Sequence, residues 1–103
     1  MIALTTLPAD GDAETFAQQL VEEKLAACVS ILPSMRSIYR WKGAVEKADE
    51  RQLLIKTTSA RLTALGARLR ELHPYDTPEF LVIPISQGSV SYLSWLAEST
   101  NTD

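Results

Sequence analysis

The chain of 103 residues has one cysteine, Cys28, and one histidine, His73. A single thiol cannot form an internal disulfide or a Cys-x-x-Cys redox pair, so a disulfide framework is excluded and a cytoplasmic setting is expected. The four Cys or His ligands of a closed structural zinc site are also missing from one chain. Basic residues are few: 10 Lys and Arg stand against 13 Asp and Glu, a net charge of −3. That leaves no positive field for a phosphate backbone, and nucleic acid is not expected as a partner. No apolar run approaches the roughly 20 residues of a membrane-spanning helix, and the N-terminus lacks the basic stretch and apolar segment of a signal peptide, so no membrane partner is expected. A phosphate-binding glycine loop, Gly-x-Gly-x-x-Gly, His-Glu-x-x-His and a nucleophile elbow are all absent, and a lone histidine is a weak general base. No enzymatic activity is expected.

With 46% hydrophobic residues the chain is too apolar to stay disordered, and its length suits one domain over residues 1–103. Met1 to Leu7 reads as a buried strand stopped by Pro8. Asp10-Gly11-Asp12 supplies turn and N-cap chemistry for a helix whose Ala13, Phe16, Ala17, Leu20, Val21 and Leu25 recur at spacings of three and four. Val29 to Pro33 and Ser37 to Trp41 read as strands separated by a bend or bulge at Pro33-Ser34-Met35. Lys42-Gly43 marks a hairpin turn into one long strand that returns from Ala44 as far as Thr58. Ser59 is placed to cap a second helix with Leu62, Leu65, Leu69 and Leu72 on one stripe, ended by His73-Pro74. After the Tyr75-Asp76-Thr77-Pro78 loop come a strand over Phe80 to Ile85, a break at Gly88-Ser89, a short helix carrying Tyr92, Leu93, Trp95 and Leu96, and a frayed end from Ser99 to Asp103.

The order β-α-β-β-α-β with a terminal helix is the split βαβ arrangement of the ferredoxin-like α+β sandwich, an antiparallel sheet with two helices on one face. Its other face, and the aromatic hairpin around Tyr39 and Trp41, would leave apolar groups wet in a monomer, so self-association is expected.

Few residues carry candidate chemistry. Cys28 offers a soft thiolate for Cu(I) or another thiophilic metal, or else a small buried hydrophobe inside Leu25 to Ile31. His73 offers an imidazole ligand, or else a cationic cap on the last carbonyls of its helix. Tyr39, Trp41, Tyr75 and Trp95 suit a subunit boundary. Alternatively, Tyr39, Lys56, Tyr75 and Glu79 present hydrogen-bonding groups in a cleft between subunits to a small anion or metabolite. Lys56 sits in an apolar strand, paired across the sheet with Glu50 or Glu79 or else used to capture an anion.

Five segments together resemble the CutA family of divalent-cation tolerance proteins: Ala26-Ala27-Cys28-Val29, Ser37-Ile38-Tyr39-Arg40-Trp41-Lys42-Gly43, Lys56-Thr57-Thr58, His73-Pro74-Tyr75-Asp76-Thr77-Pro78-Glu79, and Pro84, Gly88 and Tyr92-Leu93-Ser94-Trp95-Leu96. They occur in the family order and span nearly the whole chain. The resemblance implies a ferredoxin-like subunit in a tight homotrimer, hairpins paired across subunits, and a role in tolerance of copper or another divalent metal, with no catalytic reaction. The architecture is also similar to that of PII signalling trimers, which gives the alternative of a scaffold binding a small molecule or protein in inter-subunit clefts. Some relatives place a cysteine in the first strand and a second histidine before His-Pro-Tyr, where this chain has Thr5 and Leu72, so a metal site here would draw on Asp76 or Glu79 or on neighbouring subunits.

Overall fold

Strand β1 (Ile2–Pro8) alternates strictly: Ala3, Thr5 and Leu7 are buried, while Ile2, Leu4 and Thr6 are half-buried on the opposite face, as the two-residue period of a strand requires. The structure, a computed structural model, describes residues 1–103. Helix α1 (Ala13–Glu22) starts at Asp12, whose carboxylate accepts a hydrogen bond from the Thr15 backbone N–H at 3.1 Å, and buries Phe16, Ala17 and Leu20. Helix α2 (Leu62–Leu72) buries Leu65 and Leu69. Both helices cover one sheet face, closing a core of 11 buried residues with Ala3, Leu7, Leu53 and Ile55. Ser59 does not cap α2: a 3-10 turn over Ser59–Arg61 precedes the helix, and no side chain caps either segment.

Strand β4 (Ala44–Lys56) organises the sheet. It runs antiparallel to β1 from Ile2↔Lys56 to Pro8↔Glu50, and its other edge takes β2 (Cys28–Ile31) and then β3 (Met35–Trp41). Between the pairs Ile31↔Leu53 and Met35↔Glu50, Leu32, Pro33 and Ser34 oppose only Arg51 and Gln52, so one extra residue enters the edge. Leu32 still donates to the Gln52 carbonyl at 3.0 Å, which puts the bulge at Pro33-Ser34, where proline has no N–H to give the ladder. The hairpin closes at Trp41↔Ala44 through Lys42 and Gly43, with φ of 49° and 80°, the two positive values of a type I′ turn.

The last strand, β5 (Leu81–Ile83), pairs with the free edge of β1 and is shorter than the Phe80 to Ile85 run suggests, because Pro84 cannot continue the ladder. The sheet order is β2-β4-β1-β5. Helix α3 (Val90–Thr100) begins at Ser89, whose hydroxyl accepts from Tyr92 N–H at 3.3 Å. It takes in Ser99 and Thr100 of the expected frayed end, where Thr100 is buried and donates to the Leu96 carbonyl at 3.0 Å, and leaves Asn101 to Asp103 exposed beyond it. No helix is long and apolar enough to cross a membrane.

No helix lies over the second sheet face. Through the register it collects Ile2, Leu4, Cys28, Met35 and Leu54, all partly exposed, with Leu81 and Ile83 exposed at its β5 edge. Every residue from Ile38 to Lys47 is exposed, and the hairpin stretches the molecule to 45 × 26 × 22 Å.

Candidate functional site

The bulge sets β3 so that Met35, Ser37, Tyr39 and Trp41 oppose Glu50, Ala48, Glu46 and Ala44, which puts them on the uncovered face with Glu50 and Gln52. The loop between α2 and β5 folds over this face and adds Tyr75, Asp76 and Glu79. Together these segments bound a groove of about 750 Å³.

Two hydrogen-bonded pairs fix its floor. Tyr75 donates its hydroxyl to Glu50 Oε2 at 2.8 Å. Gln52 Nε2 donates to Glu79 Oε2 at 2.9 Å and to the Thr5 carbonyl at 2.8 Å, tying the loop to both central strands. Burial, reinforced by the hydrogen bond and charge of Glu50, holds the Tyr75 phenol well above its ordinary range. Glu50 is only 8% exposed, yet the ion pairs of the chain join Arg36 to Asp49 and Arg68 to Glu23 and Glu71, leaving Glu50 without a cation.

Four of the residues singled out in the sequence, Tyr39, Trp41, Tyr75 and Glu79, therefore meet in one groove. Lys56 and Trp95 do not. Lys56 lies six positions beyond Glu50 on β4, roughly 20 Å along the strand at its usual rise, between Ile2 and Cys28, and it forms no ion pair with Glu50 or Glu79. Trp95 is on α3, its ring 5.3 Å from that of Tyr92. Within one chain, Glu50, Asp76 and Glu79 line the groove and no Lys, Arg or His does. Gln52 was missed as a site residue, and Glu50 was read only as a partner for Lys56. The available signal was parity: both lie an even number of residues from Leu54, on the face away from Leu53 and Ile55.

His73 is 8% exposed and has both ring nitrogens engaged. Nδ1 accepts from the Tyr75 backbone N–H at 3.1 Å, so the ring is the tautomer whose Nε2–H donates to the Thr6 carbonyl at 2.7 Å. Phe16 and Tyr75 pack around it, with ring centroids 6.0 and 4.9 Å away. Burial lowers its pKa below the ordinary histidine value. It is neither a free metal ligand nor a cationic cap on α2, since its ring nitrogens bond Thr6 and Tyr75 rather than the last helical carbonyls. Cys28 is not a core residue either: it is partly exposed on edge strand β2, with Ser30 Oγ 4.0 Å from its sulfur. Nowhere do three or more His, Cys, Asp or Glu side chains come together as a metal-binding group. The residues of one chain do not fit a resident metal ion.

A split βαβ sandwich with an antiparallel sheet, three helices, a bulged edge and a long exposed hairpin defines a ferredoxin-like α+β domain. The family model of the CutA1 divalent ion tolerance protein matches residues 1–99, and the chain belongs to that family. It is 48% identical over 99 residues to the divalent-cation tolerance protein CutA of Thermus thermophilus, covering 96% of each chain. It superposes on the solved T. thermophilus divalent cation tolerance protein with a TM-score of 0.93 at 47% identity, covering 97% of both chains. On the CutA of Archaeoglobus fulgidus, named a periplasmic divalent cation tolerance protein, the TM-score is 0.92 at 34% identity, covering 97% of both.

Proposed function

We propose that this chain acts in divalent-cation tolerance as a homotrimer whose subunits meet through the uncovered sheet face and the projecting hairpin. The observation that carries the reading is the apolar surface a lone subunit leaves wet: Ile38 is 65% exposed, Leu81 56% and Val45 62%, alongside the half-buried Ile2, Leu4 and Leu54. Patches of this kind on small soluble domains mark association surfaces, and the apolar β5 edge is open for pairing. Copper or another divalent ion is on this reading the object of tolerance and not a resident cofactor. Contact with it draws on donors from more than one subunit, with the Cys28 thiol and the Met35 thioether as the soft donors each chain supplies to the uncovered face. The single unpaired thiol also supports a reducing, cytoplasmic location. No catalytic step is assigned.

Light scattering tests the assembly: three chains of 11.4 kDa give about 34 kDa, and a monomer overturns it. Calorimetric titration with Cu(II), Cu(I) and Zn(II) tests the metal. Cys28→Ser is expected to weaken Cu(I) binding, whereas His73→Ala leaves it unchanged. Binding no tighter than that of an unrelated acidic protein overturns direct metal contact.

A further inference from the structure

We propose that His73 is an acid-sensitive latch: its neutral ring holds the loop from Pro74 to Phe80 on the sheet, and a proton on Nδ1 frees that loop and loosens the contact between subunits. The release of the loop rests on geometry within one chain, and its effect on assembly rests on the trimeric reading.

The loop is tied down at few points. Its ends are anchored, because the His73 backbone N–H closes α2 on the Leu69 carbonyl at 2.9 Å and β5 begins its pairing at Leu4↔Leu81. Between those ends, Pro74 to Phe80 makes no backbone–backbone hydrogen bond. The segment is held by Tyr75 N–H on His73 Nδ1, the Tyr75 hydroxyl on Glu50, and Gln52 on Glu79. Tyr75 supplies two of these, and one of the two ends on the titratable ring. A segment with so few hydrogen bonds opens locally at a lower free energy than the core.

Both ring nitrogens of His73 are in use, so an added proton has only Nδ1 to occupy. There it faces the Tyr75 N–H, and the hydrogen bond that ties the loop to the ring is lost. The pocket offers no replacement acceptor: α1 presents the Phe16 ring, and the Thr6 carbonyl of β1 already takes Nε2–H. The charges nearby are acidic. Glu50 on β4 acts on the ring itself, and Asp10, Asp76 and Glu79 stand around Tyr75. On α2, Arg70 and Glu71 are exposed, and Glu71 pairs with Arg68. While the loop is closed, burial outweighs the attraction of Glu50 and disfavours the imidazolium. Once the loop is released, the ring reaches water and regains its ordinary basicity, so protons favour the released state below about pH 6.5. The loop folds over the sheet face that no helix covers, where the subunits are proposed to meet, and its release takes Tyr75 and Glu79 out of that surface.

The test follows the full chain from pH 8 to pH 5 by NMR, reading the His73 ring, the Tyr75 and Asp76 amides, and the Leu65 and Leu69 amides of the core. The ratio of released to held loop is expected to rise by up to tenfold per pH unit below about 6.5, in step with the ring, while the core amides stay in place. His73→Gln takes up no proton and is expected to abolish the transition. Tyr75→Phe keeps the N–H on Nδ1 but removes the tie to Glu50, and is expected to move the transition up toward pH 6.5, so the test stands even if His73→Gln fails to fold. A ring that titrates while the Tyr75 amide is unmoved, loop and core signals that change in one step, or a transition that persists in His73→Gln overturns the latch. Light scattering on the same samples reads assembly, where release of the loop is expected to make the trimer dissociate at higher protein concentration. Unchanged mass on dilution with the loop released overturns the effect on subunit contact. A monomer at pH 8 whose loop still responds refutes the assembly alone, and a trimer whose loop ignores the proton refutes the latch alone.

Discussion

Tyr75 and Glu50, 25 residues apart in sequence, are joined by a 2.8 Å hydrogen bond that pins the loop after α2 to the middle of β4. The bond supplies the only hydrogen-bond donor that the buried carboxylate has within the chain.

Removing that donor has a defined cost. Tyr75→Phe keeps the ring against His73 and deletes the hydroxyl, leaving Glu50 without a partner. A loss of about 1–3 kcal/mol is expected for an orphaned buried group. Denaturant unfolding at one fixed protein concentration checks it, because the stability of an associating chain depends on concentration. An unchanged midpoint shows that water takes over the carboxylate.

His73 makes stability pH-dependent with a calculable sign. Its folded pKa lies below the ordinary 6.5, so below that pH the unfolded chain binds more protons than the native one. Stability is therefore full above about pH 6.5 and falls as pH drops through the unfolded pKa toward the folded one. The geometry agrees, since a proton on Nδ1 would meet the N–H that Tyr75 already aims at it. His73→Gln lowers stability overall and is expected to flatten the melting-temperature profile between about pH 7 and pH 5. Parallel profiles for both proteins would remove His73 as the titrating group.

Thr5 is fully buried between the sheet and the helices, and its hydroxyl has no hydrogen-bond partner. Thr5→Val replaces that oxygen with a methyl group of similar size on a β-branched side chain suited to the strand. A gain of about 1 kcal/mol is expected, or about 4–8 °C in melting temperature by calorimetry for a domain of this size. A lower melting temperature would mean that the hydroxyl is satisfied.

The hairpin turn holds Lys42 at φ 49°, where a long side chain is strained and asparagine is at home. Lys42→Asn is expected to raise stability by a few tenths of a kcal/mol up to about 1. It also removes the ammonium from the Trp41 face. Chemical denaturation gives the first effect and the Trp41 indole signal the second.

Much of the architecture was legible because it is written in short-range patterns. The spacing of Phe16, Ala17 and Leu20 marks α1, Asp12 marks its start, Lys42-Gly43 marks the turn, and Pro33 marks the bulge. The errors have physical causes. Ser59 resembles an N-cap, but a 3-10 turn precedes the helix it was meant to start, and the fraying placed from Ser99 begins only after Thr100, which is packed and bonded. The candidate site was half legible. Tyr39, Trp41, Tyr75 and Glu79 were recognisable as polar and aromatic groups in search of a boundary, whereas Lys56 looked like their neighbour only because register is invisible in a linear string.

By itself, the sequence determined the order of strands and helices, the apolar stripes that build one core, and the shortage of thiol and imidazole that denies one chain a metal cage. Those depend on residue type and on spacings of two, three or four. What only the tertiary structure decided was which polar groups share a place. The one-residue bulge aligns Tyr39 with the Glu50 face, the loop carries Tyr75 back across 25 residues, and Thr6 takes the His73 nitrogen from 67 residues away. Pairing register and loop path are properties of the closed sheet. They turned a histidine that looked like a ligand into a structural one, and a glutamate offered as a partner for Lys56 into the floor of the groove.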